Sequence, residues 1–319
     1  MRQLASLTLR RLLTLVPLML GVIAFIFVVL ALAPNSAAVY VLGDSATPSQ
    51  IAAFNHAHGL DRSLPVRYVA FLGNLLHGDM GTTYTLQQPV SDVIKNALPV
   101  TAQLTMLGIV GAIVIALAFG LIGALYRDRW PDHATRLLSI AGIAMPSFWL
   151  AILLIQEFSV IGGGLFPSGH YISPGDSFGG WLKSMTLPAI ALAVPVGSGL
   201  ARVVRTSVVE ELDKDYVRTA IGAGLSPGVV IGRNVLRNAL ITPLTALGLQ
   251  IGYLIGGAII LEAIFSLPGM GTQMMAAVTQ DDIGLARGLV ITIALVFIIV
   301  NLVVDILYLI LDPRQRVRH

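Results

Sequence analysis

Six stretches of the chain, residues 12–33, 98–125, 133–160, 185–204, 235–263 and 285–311, are almost wholly apolar, and charges and turn formers collect between them. A helix rises about 1.5 Å per residue, so roughly 20 apolar residues cross the ~30 Å hydrocarbon core of a bilayer. The pattern predicts an all-α integral membrane protein with six transmembrane helices. Three of the runs carry small residues four apart: Gly108, Ala112, Ala116 and Gly120; Ala189, Ala193, Gly197 and Ala201; and Gly248, Gly252 and Gly256. Such stripes let helix backbones approach closely, which is how helices pack where lipid is as apolar as they are. Pro146, Pro188, Pro195 and Pro243 each remove a helical hydrogen bond and predict kinks.

The first run has 22 uncharged residues and follows Arg2, Arg10 and Arg11. Ala31-Leu32-Ala33 resembles a signal-peptide cleavage site, but the apolar region of a signal peptide is only about 7–15 residues long, so a retained first helix is expected. Residues 34–96 form a segment between the first two spans with two short helical patterns. Ser49 is placed to cap one that carries Ile51, Phe54 and Ala57. The other, residues 64–76, puts Val69, Leu72, Leu75 and Leu76 on one side. His56 and His58, two apart, do not have metal-ligand spacing.

The longest polar-punctuated segment between two spans is 215–243. Residues 215–223 predict a short helix with Tyr216, Ala220 and Ala223 on one face. Gly224 is placed to end it in the left-handed conformation, with Leu225 folding back over the last turn. Ser226 and Pro227 then start a second helix as cap and first residue, leading into a long apolar helix from about Val235. The unit reads as a docking loop for something outside the chain; the alternative is an amphipathic loop lying on lipid headgroups.

Composition fits the membrane reading: 55% of the residues are hydrophobic, 12% are charged and the mean hydropathy is +0.82. The absence of cysteine excludes disulfides and thiolate metal sites. The net charge of +3 comes from basic residues scattered on the flanks of the spans, a topology signal rather than a nucleic-acid stripe. With the N-terminus in the cytoplasm, only Arg62, Arg67, Lys95, Lys183 and Arg287 of the 20 Lys and Arg residues fall outside. That bias predicts that both termini and the 215–243 loop are cytoplasmic.

Little in the chain suggests catalysis. None of Lys95, Lys183 and Lys214 follows a glycine, so there is no Gly-Lys-Ser/Thr phosphate loop. Gly197-Ser198-Gly199 has no histidine within the apolar body of any span to serve as its base, and no His-Glu-x-x-His pattern occurs. Gln103, Gln156, Glu157, Gln250, Glu262, Asn301 and Asp305 are polar residues within spans, hence candidates for a pathway. Glu157 and Glu262 lie near helix ends, where an interfacial role competes. Asn301 and Asp305, four apart, share a face suited to bonding neighbouring helices or an arginine of the docking loop.

Several motifs, in order, resemble the permease subunits of binding-protein-dependent ABC importers of the dipeptide, oligopeptide and nickel branch. They are His77-Gly78-Asp79-Met80-Gly81, Arg218-Thr219-Ala220 with Gly224-Leu225, Leu236-Arg237-Asn238-Ala239 with Pro243, Phe265-Ser266-Leu267-Pro268-Gly269-Met270-Gly271, Asn301-Leu302-Val303-Val304-Asp305 and Asp312-Pro313-Arg314. The chain departs from the family pattern at Ala223, where a lysine is common, and at Pro34-Asn35-Ser36-Ala37.

The resemblance implies a type I importer permease fold with an external helical segment after the first helix. It also implies a division into 1–33 (N-terminus and first helix), 34–96 (external), 97–311 (five-helix core with its coupling loop at 205–234) and 312–319 (cytoplasmic tail). On this reading Asp215, Tyr216, Arg218, Thr219, Ala220, Ala223, Gly224 and Leu225 couple to the ATPase. Phe265, Pro268, Gly269, Met270 and Gly271 meet the binding protein, and Gln103, Gln250, Asn301 and Asp305 border the pathway.

The implied partners are a second permease of similar fold, two ATPase subunits or domains that bind ATP and Mg, an extracytoplasmic substrate-binding protein and the lipid bilayer. No nucleic acid is among them, and no cofactor is expected in this chain. The implied location is a bacterial or archaeal plasma membrane. The rival readings are an ion-gradient-driven transporter using Glu157, Glu262 or Asp305, and a channel or scaffold.

Overall fold

The computed structural model describes residues 16–29, 37–43, 45–84 and 87–311; the side chains of Ala37, Tyr40 and residues 305–311 fall outside that description. Among the described residues the chain is helical, with a single isolated bridge between Thr82 and Pro89. The helices are α1 (Val16–Val29), α2 (Ala37–Leu42), α3 (Pro48–Ala57), α4 (Leu64–Leu76), α5 (Val90–Leu125), α6 (Trp130–Ala144), α7 (Ser147–Ile155), α8 (Phe178–Leu212), α9 (Asp215–Gly222), α10 (Pro227–Val229), α11 (Leu236–Ala239), α12 (Ile241–Ile264), α13 (Met270–Thr279) and α14 (Ile283–Leu311). Wide π-helical turns follow α7 (Gln156–Ile161) and α10 (Val230–Val235).

Among the described residues four helices, α5, α8, α12 and α14, are long and apolar enough to cross a membrane. The expected span at 133–160 is instead a bent pair, α6 and α7, meeting at 99°. Pro146 is the cause. It has no N–H to donate, and it forces Met145 out of the helical region to φ −83°, ψ 118°. Pro188 and Pro195, by contrast, stand inside an unbroken α8. The apolar helix expected from about Val235 starts at Ile241, because Pro243 cannot continue the hydrogen-bond ladder from α11. The expected first span is described only over α1, and its remainder, like the 312–319 tail, lies outside the described residues.

The fold divides into two compact units: residues 1–101 with 268–302, and residues 102–267 with 303–319. In the first, Ile23 and Phe27 of α1, Phe71 of α4 and Ile291 of α14 form one core, which Leu64, Tyr68, Leu72 and Leu75 cover. The buried face of α4 thus runs through its aromatic residues. Val69 and Leu76, expected on that face, are exposed. Arg287 lies over the Phe71 ring, 4.6 Å from its centre. The N-cap of α3 is Thr47 rather than Ser49. Pro48 takes the first helical position, and the side chain of Gln50 accepts a 2.8 Å bond from the Thr47 N–H, closing a capping box.

In the second unit the small-residue stripes of α5 and α8 meet. A Cβ on Gly197 would stand 2.9 Å from the Ala112 carbonyl oxygen, and one on Gly120 would stand 2.8 Å from that of Ala201. Ala112, Ala116, Ala193 and Ala201 are buried. The stripe on α12 divides. Gly248 packs against Val304, whereas Gly256 faces open space and its neighbour Gly257 takes the contact with Leu192.

Candidate subunit-coupling site

The exposed segment between α8 and α12 is organised by one carboxylate. Glu211, in the last turn of α8, is buried. It accepts hydrogen bonds from Lys214 Nζ (2.5 Å) and Asn238 Nδ2 (3.2 Å), and from the Tyr216 hydroxyl at 2.8 Å. Four pieces of backbone are tied by these bonds: the end of α8, the turn after it, α9 and α11. Val217, Val230, Val235 and Ala239 are buried beneath the same segment. Burial, reinforced by the Glu211 charge, pushes the Tyr216 phenol above the ordinary tyrosine range.

α9 ends in a Schellman motif. The Leu225 N–H donates to the Ala220 carbonyl at 3.2 Å, the Gly224 N–H donates to that of Ile221 at 3.0 Å, and Gly224 sits at φ +89°. The turn opens into α10 with Ser226 at the cap position and Pro227 at the first helical one, although the serine hydroxyl makes no capping bond. This geometry sends Ile221 (45% exposed), Leu225 (48%) and Val229 (50%) to the surface within nine residues, flanked by exposed Arg218 and Thr219. Three large aliphatic side chains held outward on a tightly bonded turn form a contact surface rather than a core.

A second ion-pair cluster, built on a buried carboxylate, joins α6 to α8. Asp132, in the first turn of α6 and fully buried, accepts two bonds from Arg205 of α8 (2.6 and 2.7 Å) and two from Arg136 (3.0 and 2.5 Å). Gly123 of α5 leaves the space, since a Cβ there would stand 3.2 Å from Arg205 Cδ and 3.4 Å from Asp132 Oδ1. Arg127, in the α5–α6 turn, reaches Asp213 at 2.9 Å, at the start of the exposed segment.

The model of the binding-protein-dependent transport system inner membrane component matches residues 116–317, and that of the N-terminal part of such a membrane component matches residues 4–105. The chain belongs to this family. Similar proteins include one of Brucella abortus (strain 2308), which carries the name of a peptide transport system permease protein; it is 39% identical over 98% of this chain and 99% of its own. The glutathione transport system permease protein GsiC of Salmonella typhimurium is 36% identical over 97% of this chain and 98% of its own. Among solved structures, the inward-facing MetNI methionine ABC transporter shares the fold at TM-score 0.56 and 13% identity, over 69% of this chain and 96% of that one. An amino acid ABC transporter does so at TM-score 0.51 and 15% identity, over 70% and 94%. The protein is therefore an inner-membrane permease component, and in such systems separate subunits hydrolyse ATP. The reading of an ion-driven transporter is set aside.

In this permease the eight residues expected to couple to an ATPase fall on α9 and the turn that ends it. Tyr216 turns its hydroxyl inward to Glu211 and Ala220 is half-buried, while Asp215, Arg218, Thr219, Ala223, Gly224 and Leu225 are exposed. Of the five residues expected to meet a binding protein, Pro268 is exposed and Phe265, Gly269, Met270 and Gly271 are buried; the Met270 N–H donates to Thr101 Oγ1 at 2.9 Å. Each of the described pathway candidates has its own surroundings. Gln103 accepts bonds from Trp181 Nε1 (2.8 Å) and the Tyr171 hydroxyl (3.0 Å), Asn301 donates to the Phe297 carbonyl of its own helix, and Gln250 is exposed on α12. The Asp305 side chain lies outside the described residues.

Glu157 is exposed on the first π-helical turn, and Glu262 is buried in α12. Sequence reasoning assigned no role to Glu211, Asp132 or Arg205. The pairs Asp132/Arg136 and Glu211/Lys214, at spacings of four and three, were the available signal.

Proposed function

We propose that this permease is one half of the translocation path of an ATP-driven importer for short peptides or a related small solute, and that an ATPase subunit docks on the α9–Gly224–α10 turn. The observation that carries the reading is the outward display of Ile221, Leu225 and Val229 on a segment clamped from within by Glu211. A rigid clamp lets a displacement of the docked ATPase be passed to α8 and α11 instead of being absorbed by the loop. ATP binding closes the ATPases and moves that clamp, and the helices alternate between inward-open and outward-open arrangements. The names of the Brucella and Salmonella relatives support the peptide class.

The scheme includes a second permease, for which the exposed apolar stripe Leu249, Tyr253, Gly256 and Ile260 of α12 is the packing face. It also includes an extracytoplasmic binding protein on the side away from α9. The bias of arginine and lysine supports cytoplasmic termini.

Gly224→Asp tests the docking. The variant is expected to insert normally, to recover less ATPase in a pull-down from solubilised membranes, and to lose uptake. Undiminished ATPase recovery with normal uptake would overturn the assignment.

A further inference from the structure

A cavity of about 310 Å³ opens between α5, α6 and α8, and its lining combines Arg136, Arg202, Arg205 and Ser139 with Phe119 and Ile143. Two of the three guanidinium groups are engaged by Asp132. Arg202 is exposed, and among the described residues no carboxylate stands within ion-pair distance of it. The cavity therefore has an uncompensated cation beside an aliphatic and aromatic wall, which is the chemistry of an amphiphile with an anionic head.

Its position along the helices agrees. At 36 and 35 residues, α5 and α8 are longer than the roughly 20 needed to cross the hydrocarbon core, so their ends project beyond it. Phe119, Arg136 and Arg205 all lie within about 10 Å of the ends of their helices at this side. Trp130, 79% exposed, and Tyr126, 49% exposed, stand at the same end, where amphipathic rings mark the headgroup level. Ile140, which lines the cavity, is exposed, as is Leu137 three residues before it on α6, so an acyl chain in the cavity can continue along the exposed face of α6.

We infer that this cavity binds an anionic phospholipid, with its phosphate at Arg202 and the Ser139 side and an acyl chain against Phe119, Ile140 and Ile143. The lipid would brace the buried Asp132 cluster, because its headgroup occupies the open side of the arginines that make that cluster. Basic pockets between membrane helices recognise anionic headgroups in this way.

The test is native mass spectrometry of the full permease in its detergent-solubilised complex, titrated with phosphatidylglycerol or phosphatidylcholine. Phosphatidylglycerol should be retained in preference. Arg202→Gln should weaken its binding roughly fivefold, while Arg202→Lys keeps most of it. Equal retention of the two lipids, or a Gln variant that binds phosphatidylglycerol as the unsubstituted chain does, would overturn the proposal. Displacement of the lipid by millimolar inorganic phosphate would do so too, assigning the cavity to a soluble anion. The readout needs neither ATPase recovery nor uptake, so it stands or falls apart from the docking assignment.

Discussion

The seam between α5 and α8 and the segment from α9 to α11 solve opposite problems within one compact unit. At the seam, Gly120 and Gly197 let backbones touch, Gly108 makes room for the Leu192 side chain, the alanines are buried, and the buried carboxylate that ties α6 to α8, Asp132, is saturated by two arginines. Along α9 to α11 the polar anchor, Glu211, is equally well bonded, but the aliphatic side chains above it point outward. Both regions are rigid, one by contact and the other by hydrogen bonding around a single carboxylate. A region braced in this way can keep a docking surface in register without burying it.

The seam tolerates substitution least. Gly197→Leu should remove folded permease from the membrane, because its Cβ meets the backbone of Ala112, which cannot move aside as a side chain can. Overpacking costs about 1–3 kcal/mol even where neighbours can yield. Gly199→Leu, two residues along α8, is the matched control: nothing lies within 4 Å of that position, so the variant should insert and fold. Membrane yield and thermal stability of the two variants check the contrast; equal yields would refute it.

Next in size is Asp132→Ala, which leaves Arg205, mostly buried, without its carboxylate while the half-exposed Arg136 turns to water, and should cost about 1–3 kcal/mol. Asp132→Leu combined with Arg205→Met separates charge from shape. Replacing the pair with apolar residues removes the unpaired charge and should recover much of the loss. Thermal unfolding of single and double variants measures the recovery, and a double variant no better than Asp132→Ala would show that the cluster acts through shape rather than charge.

How far these features could be read from the sequence followed the range of the interaction that builds them. The stripes on α5 and α8, the glycine stop at Gly224 and the start at Pro227 are local patterns, and each has the geometry its spacing implied. The break at Met145 was half legible: Pro146 marked a kink, but nothing local separates it from Pro188 and Pro195, which α8 carries without a break. On α4 the aliphatic count favoured Val69 and Leu76, while the partners on α1 and α14 selected Tyr68 and Phe71 instead. The hub at Glu211 was only partly visible, because its bond to Asn238 spans 27 residues and requires α11 to return beside α8. Arg205 meets Asp132 across 73 residues for the same reason.

The smallest effects belong to the hub. Glu211→Gln keeps an acceptor for Tyr216 but loses the charge facing Lys214, and should loosen α9 by about 1–2 kcal/mol, read as faster amide exchange over 215–222. Tyr216→Phe removes one neutral donor and should cost about 1 kcal/mol. Its distinguishing mark is pH. The folded-state value of the Tyr216 phenol lies above its unfolded value near 10, so its share of stability is whole below that pH and is lost as pH climbs through the folded value. Amide exchange in α9 should therefore quicken beyond its ordinary base-catalysed rise only in strongly alkaline solution, and that excess should vanish in Tyr216→Phe. An excess that persists in the Phe variant would place the alkaline opening elsewhere, leaving Glu211 to hold the docking segment through Lys214 and Asn238.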